Sequence, residues 1–375
     1  MKENPLLKLE SYGQSIWLDF IRRGMLSSGE MARMIEEDGL GGVTSNPAIF
    51  EKAIAETGDY DDAIRTLARA GKSVAEIYDE LVVEDIRLTA DLFRPFYDRT
   101  EGKDGFISLE VSPHLAHDTV GTLTEARRLW QRVNRPNVMI KVPGTLEGLP
   151  AISQLIGEGI NVNVTLLFSL PRYRAVSEAY IDGLEEAVAQ KRPLKSVASV
   201  ASFFLSRIDV LIDALLEKKV AERGPVADLA GSLRGEVAIA SARMAYQIWK
   251  EIFSGERFQR LAASGAHPQR VLWASTSTKN PAYSDVKYVE ALIGPQTVNT
   301  LPLETLSAYR DHGNPASRLK EGTAEARHCL QRLAKAGIDL DAVTEQLENE
   351  GVEKFVKPFD SLMKALEQKR RAAQE

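Results

Sequence analysis

Short apolar runs rich in β-branched residues recur along the chain, each closed by turn residues and parted from the next by stretches of helical spacing. Residues 16–20 read as a first strand, with Asp19 at its C-terminal end. Ser27-Ser28-Gly29-Glu30 then offers a helix start, and the helix through Met34 and Ile35 stops at Asp38-Gly39. A second strand at 40–43 runs into Thr44-Ser45-Asn46-Pro47, where Asn46 is either turn chemistry or a side chain aimed into a pocket. Residues 73–93 have helical spacing, with Val74, Ile77, Tyr78, Leu81, Leu88 and Leu92 on one face, and 98–105 form a polar loop. The third strand, 106–111, carries Glu110, a poor strand former, near its end. A helix at 123–133 leads to Val138-Met139-Ile140-Lys141-Val142, a fourth strand halted by Pro143-Gly144. In 160–166 strict alternation puts Asn161, Asn163 and Thr165 on one face, which predicts a polar interior. A sixth strand at 196–202 leads through Phe203 and Phe204 to Arg207, and a long helical excursion with Gly224-Pro225 as a breaker follows. Strands at 271–275 and 297–301 complete the set. From Thr323 the pattern is helical, the stripe Phe355, Phe359, Leu362, Leu366 reads as packing, and only the last few residues look frayed.

Eight strands alternating with helices match an α/β fold, a closed (β/α)8 TIM barrel. It forms a single domain over 1–375, with a helical insertion at about 208–268 between strands 6 and 7 and extra C-terminal helices at about 323–370. In that architecture the C-terminal strand ends carry the chemistry. The polar residues placed there are Asp19, Asn46, Glu110, Lys141, Thr165 and Ser202, with Lys279 in the loop after the seventh strand.

Composition narrows the class without changing this picture. A chain of 375 residues, 44% hydrophobic and 27% charged, is long enough for a large soluble core. The net charge of -6, with Lys and Arg scattered, argues against nucleic acid as a partner. Met1-Lys2-Glu3-Asn4-Pro5 lacks the apolar core of a signal peptide and no apolar run is of membrane-spanning length, which points to the cytoplasm. The single cysteine, Cys329, excludes an intramolecular disulfide and a Cys-pair zinc site. Of five histidines only His114 and His117 are close together, so three spaced metal ligands are missing. Neither G-x-x-x-x-G-K-S/T nor G-x-G-x-x-G occurs, which disfavours nucleotide cofactors.

Lys141 is the informative oddity. Desolvating an ammonium is costly, so a lysine in a doubly buried strand either finds a carboxylate or loses its proton, and a neutral amine attacks carbonyls to give a Schiff base. The plainer reading is a lysine whose stem packs while its head reaches out at the strand end. An amine beside a carboxylic acid and a carboxylate is the set needed to break carbon–carbon bonds next to a ketone.

Thr44-Ser45-Asn46-Pro47, Ser108-Leu109-Glu110, Ile140-Lys141-Val142-Pro143-Gly144-Thr145, Asn163-Val164-Thr165-Leu166-Leu167-Phe168-Ser169 and Ala201-Ser202-Phe203-Phe204 to Arg207 resemble transaldolase motifs, in that family's order. The resemblance runs from about Ile16 to Asp311, and the chain's length and helical excursion are similar to the long bacterial subgroup. It implies Lys141 as the Schiff-base lysine, and Asp19 as acceptor of the substrate hydroxyl proton. Glu110, acting through a water held by Thr165, would be the acid and base. Asn46, Asn163 and Ser202 would hold substrate hydroxyls, and Arg207 the phosphate. The implied reaction, in the pentose phosphate pathway, moves a dihydroxyacetone unit from sedoheptulose 7-phosphate to glyceraldehyde 3-phosphate. No metal or organic cofactor is implied, the expected partners are sugar phosphates alone, and the chain is expected to act as a monomer or homodimer.

Where many relatives place a second phosphate-binding arginine, this chain has Ser275-Thr276-Ser277-Thr278-Lys279. Lys279 binds phosphate as a point charge rather than a fork, or is a solvated loop lysine; Arg207, for its part, has the alternative of pairing with Asp209. Two other functions stay open at this level. One is a fructose 6-phosphate aldolase-type lyase, whose shorter chains tend to carry glutamine and tyrosine where this one has Glu110 and Phe204. The other is a barrel that binds sugar phosphates without turnover, for which a desolvated amine has no use.

Overall fold

The computed structural model describes residues 4–374; Met1 to Glu3, read above as part of a start without a signal-like core, and Glu375, in the tail read as frayed, lie outside them. The apolar runs form eight parallel strands, β1 (Gln14–Leu18), β2 (Leu40–Val43), β3 (Phe106–Glu110), β4 (Val138–Pro143), β5 (Val162–Leu167), β6 (Ser199–Phe204), β7 (Arg270–Ala274) and β8 (Thr297–Leu301). They pair in sequence order, and β8 closes on β1 from Gln14↔Thr297 to Leu18↔Leu301. Every residue of β2 to β6 and β8 is buried. That is why these strands read as continuous apolar runs: side chains on one face meet the helices and those on the other fill the barrel. Gly42 serves this filling, since a Cβ there would lie 2.7 Å from the ring of Trp17.

The pattern places the strands well and their ends less well. β1 ends at Leu18, leaving Asp19 and Phe20 in the loop, and β6 begins at Ser199 and runs through Phe204, three residues later than expected. Asn161 precedes β5, and its amide binds backbone rather than interior: Nδ2 donates to the carbonyls of Pro136 (2.9 Å) and Val138 (3.1 Å), and Oδ1 accepts from Ala198 N (2.9 Å). The helix expected at 73–93 spans Val74–Arg99, opened by a Ser73/Glu76 capping box and continuing through Pro95, so the expected loop begins at Thr100. Leu88 and Leu92 on it are exposed, because its buried stripe drifts from Ile77 and Leu81 to Ile86, Ala90 and Phe93. Helices at Pro47–Ala55, Asp61–Arg69, Gly148–Gly157 and Leu170–Ala189 fill stretches the pattern left unassigned. No helix among the described residues is long and apolar enough to cross a membrane.

Between β6 and β7 lie helices Ser206–Ala221, Ala227–Gly231, Val237–Ser254 and Glu256–Ala263. The chain finishes with Thr323–Lys335 and the long helix Leu340–Ala372, after which Gln374 Nε2 donates to Ala68 O (3.1 Å), so the chain is tied down as far as Gln374. This last helix is laid on the barrel mouth. A Cβ on Gly351, a buried glycine in its middle, would lie 3.0 Å from Leu166 Cδ2 and 3.5 Å from the ring of Phe168. A glycine in mid-helix weakens it, and here it permits the close approach.

Candidate active site

A cavity of about 780 Å³ opens at the C-terminal ends of the strands. Asp19, Asn46, Lys141, Thr165, Ser202, Arg207 and Lys279, drawn from six strand ends and their following loops, all line it. Parallel strands put side chains of one parity on one face, and paired positions point together, so β3–β4 pairing sets Glu110 beside Lys141.

Lys141 is 4% exposed; its Nζ donates to Ser45 O (3.0 Å) and stands 3.2 Å from Glu110 Oε2. The carboxylate contact is off the hydrogen-bond direction, and neither Glu110 oxygen has a hydrogen-bond partner among the described residues. Burial pushes the Glu110 carboxyl up to about 7, although the Lys141 charge pulls it down. Glu110 lines not the main cavity but an adjoining crevice of about 10 Å³, shared with Tyr78, Phe50 and Phe359. That is roughly the space one water needs.

Asp19 lines the main cavity, and Thr44 Oγ1 donates to its Oδ1 (2.6 Å) and exchanges a hydrogen bond with Thr300 Oγ1 (2.7 Å). Burial raises the Asp19 pKa, with Lys141 and the Thr44 bond opposing it. Asn46 fills both roles weighed for it: its Oδ1 caps the helix Pro47–Ala55 through Ile49 N (3.1 Å) while the residue lines the cavity. Thr165 Oγ1 is buried with no hydrogen-bond partner among the described residues. Asn163, by contrast, is fully buried behind the wall, where its Nδ2 donates to Ser108 Oγ (2.9 Å) and its Oδ1 accepts from Ser202 Oγ (2.7 Å). Two residues in the left-handed region border the site, Leu166 (φ 61°) at a bulge in β5 and Ser275 (φ 55°) after β7. Such strain in non-glycine residues gathers at functional sites.

Arg207 sits at the start of the helix Ser206–Ala221, half-buried, with Nη1 lacking a hydrogen-bond partner among the described residues and its guanidinium 5.4 Å from the Phe204 ring. Burial lowers its pKa. Asp209 does not pair with it: Asp209 accepts from Ala238 N (2.8 Å), Tyr288 (2.8 Å) and Lys287 (3.3 Å). Lys279 is exposed at the rim, its Nζ donating to Ser277 Oγ (2.7 Å). His114 and His117 bind separate acids, Asp360 (2.8 Å) and Glu147 (3.2 Å).

The roof of the cavity comes from a helix whose pattern shows only packing. Leu347, Glu350, Lys354 and Phe355, all on the Leu340–Ala372 helix, line the cavity, as do Glu304 and Lys52. Phe355 belongs to the stripe read as packing, and Leu362 and Leu366 are indeed fully buried. A glycine four residues before Phe355 was the available signal of a close approach.

Fold and site together define a parallel α/β-barrel protein with a buried lysine–carboxylate pair at its C-terminal rim. Residues 16–366 match the family model described as transaldolase/fructose-6-phosphate aldolase. The chain is 50% identical over 374 residues to a protein named transaldolase 2 from Nostoc sp., covering 98% of both chains. It is also 50% identical to a transaldolase from Trichodesmium erythraeum, again with 98% of both covered, and 49% identical to one from Thiobacillus denitrificans, covering 94% of this chain and 96% of that one. The chain belongs to the transaldolase/fructose-6-phosphate aldolase family.

Proposed function

We propose that this protein is a cytoplasmic transaldolase of the pentose phosphate pathway, a transferase that carries a dihydroxyacetone unit from sedoheptulose 7-phosphate to glyceraldehyde 3-phosphate on Lys141. Erythrose 4-phosphate and fructose 6-phosphate are the products. The observation that carries the reading is the buried amine 3.2 Å from a carboxyl whose ionisation lies at about 7. The names of relatives with half their residues in common over nearly the whole length support the transfer reaction.

Nζ attacks the C2 carbonyl of the ketose to give a carbinolamine. The Glu110 carboxyl gives its proton to the departing hydroxyl, water leaves, and Nζ becomes part of a cationic iminium. Asp19 then takes the proton of the C4 hydroxyl. The C3–C4 bond breaks, its electron pair moves toward the iminium to form an enamine, and the aldose departs. The enamine carbon attacks the acceptor aldehyde, whose oxygen takes the proton back from Asp19. Water returns to C2, with the Glu110 carboxylate receiving a proton, and the amine is released.

Thr165 Oγ1 and Glu110 Oε1, neither with a hydrogen-bond partner among the described residues, are suited to hold the water between them, with Glu110 Oε2 ion-paired to Lys141. Ser202 and Asn46 face the substrate hydroxyls, with Asn163 acting as the clamp that orients Ser202. Arg207, whose Nη1 has no hydrogen-bond partner among the described residues, takes the phosphate, helped by Lys279 as a point charge.

Borohydride reduction with fructose 6-phosphate, followed by peptide mass mapping, tests the reading: a reduced three-carbon adduct on Lys141 is expected. No adduct there makes the chain a binder without turnover. Rapid release of dihydroxyacetone without an acceptor aldehyde assigns it to lyase chemistry instead.

A further inference from the structure

The ring of Phe355 stands between the Lys141 amine and the Arg207 guanidinium. It is 4% exposed, and its centroid lies 5.5 Å from Lys141 Nζ and 5.9 Å from Arg207 Cζ. It reaches that position because Gly351, about one turn earlier, lets the Leu340–Ala372 helix settle against Leu166 and Phe168. On the other side, Phe204 holds the same guanidinium, and Phe168 packs on Phe204 with ring centroids 5.3 Å apart. The roof over the amine is therefore an aromatic face. Packing alone would be met equally well by the leucines that continue the stripe.

We propose that Phe355 stabilises the positive charge that develops on Lys141 Nζ when the carbinolamine loses water. The proposal rests on the Lys141 reading above. In that step the amine is neutral before attack. The carbon–oxygen bond breaks as the nitrogen lone pair forms the carbon–nitrogen double bond, the hydroxyl leaves as water with the Glu110 proton, and the charge remains at nitrogen. An aromatic face carries negative potential and attracts a cation within about 6 Å of its centroid, most strongly where water is excluded. The neutral amine gains less from the ring than the iminium does, so the interaction favours the intermediate over the starting state. The same ring steadies Arg207, which ties the phosphate end of the substrate to its reacting end through one side chain.

The test replaces Phe355 in the full-length enzyme by leucine and, separately, by phenylalanine analogues of increasing fluorination, which drain the ring face while nearly keeping its volume. The readouts are the fraction of Lys141 trapped by borohydride at saturating fructose 6-phosphate, kcat and KM, with thermal melting to confirm folding. Phe355→Leu is expected to lower kcat and the imine-to-carbinolamine ratio by roughly 3- to 30-fold. The fluorinated series should fall stepwise toward the leucine value. A fluorinated series that traps and turns over like wild type overturns the proposal, even if Phe355→Leu is impaired, because only packing would then be at issue. Absence of any adduct on wild-type Lys141 overturns the imine reading itself and this proposal with it, while a normal wild-type adduct with an unaffected leucine variant overturns this proposal alone.

Discussion

The two mouths of the barrel both hold charge in a dry interior, and they treat it differently. At the lower mouth Asp104 accepts from Trp17 Nε1 (2.8 Å) and from Arg270 Nη2 (3.3 Å), while Arg270 Nη1 donates to Ser15 Oγ (2.9 Å). The two charges there answer each other and the side chains around them. At the upper mouth the Glu110 carboxyl, Thr165 Oγ1 and Arg207 Nη1 are buried without a hydrogen-bond partner among the described residues, two of them on ionisable groups, whereas the unpartnered atoms at the lower strand ends, Gln14 Oε1, Asn137 Oδ1 and Gln269 Oε1, belong to neutral amides. Leaving an ionisable group buried and unmatched costs the fold more than leaving a neutral amide oxygen so, and a protein that does it around one cavity reserves those groups for something that binds. The lower mouth is built for stability and the upper for chemistry, as the barrel architecture generally divides them.

The largest test of that division is at Lys141. Lys141→Met should take turnover to the floor of the assay while the folded state is kept or strengthened, since methionine fills the space without a charge to desolvate; turnover near wild type would remove the lysine from the mechanism. Next comes Glu110→Gln, expected to slow imine formation and breakdown in single-turnover kinetics by roughly 10²- to 10⁴-fold, the usual worth of one acid–base group. An unchanged rate would make Glu110 structural and place the upper mouth in the same class as the lower. The converse experiment is Asp104→Asn. It leaves Arg270 under-compensated and should cost about 2–4 kcal/mol in chemical denaturation, with kcat within about twofold of wild type. A loss of kcat with stability intact would erase the contrast.

The smallest effect is a pH dependence of stability. The folded-state pKa of Glu110 is raised above its ordinary value of 4.5 to about 7, so between these limits the folded chain binds more protons than the unfolded one. Stability from this group is therefore present at low pH and is lost as pH rises through that window. Denaturation at pH 5 and pH 7.5 should show Glu110→Gln removing about 1–3 kcal/mol of the wild-type decline. Asp19, raised in the same direction, keeps the remaining slope from vanishing. A wild type that gains stability across the window relative to the glutamine variant would contradict the buried-carboxyl account.

Much of the molecule was readable from local pattern. A strand buried on both faces must be apolar along its length, so the eight runs announced the barrel, and the polar residues interrupting their ends announced the rim. Glu110 and Lys141 stood out for the same reason: each is a charge in a place where charge is expensive. Strand ends were shifted by two or three residues at β1 and β6, because the limit of a strand is decided by where its neighbour's hydrogen bonds stop.

Other features belong to the folded chain alone. That Asn161 brackets backbone while Asn163 clamps Ser202 follows from which strands lie on either side, and alternation along one strand carries no record of its neighbours. Whether Arg207 pairs with Asp209 was settled by Lys287 and Tyr288, which arrive from the far side of β7. Phe355 is the sharpest case. In sequence it is one member of an amphipathic stripe; in the fold the helix passes over the mouth, and one ring of that stripe meets an amine from β4 and a guanidinium from the first turn of the helix after β6. The sequence by itself determined which segments must be buried, because burial is a property of each residue and its spacing. Which buried groups face one another was left to the tertiary structure, because contact depends on where chain segments remote in sequence come to rest.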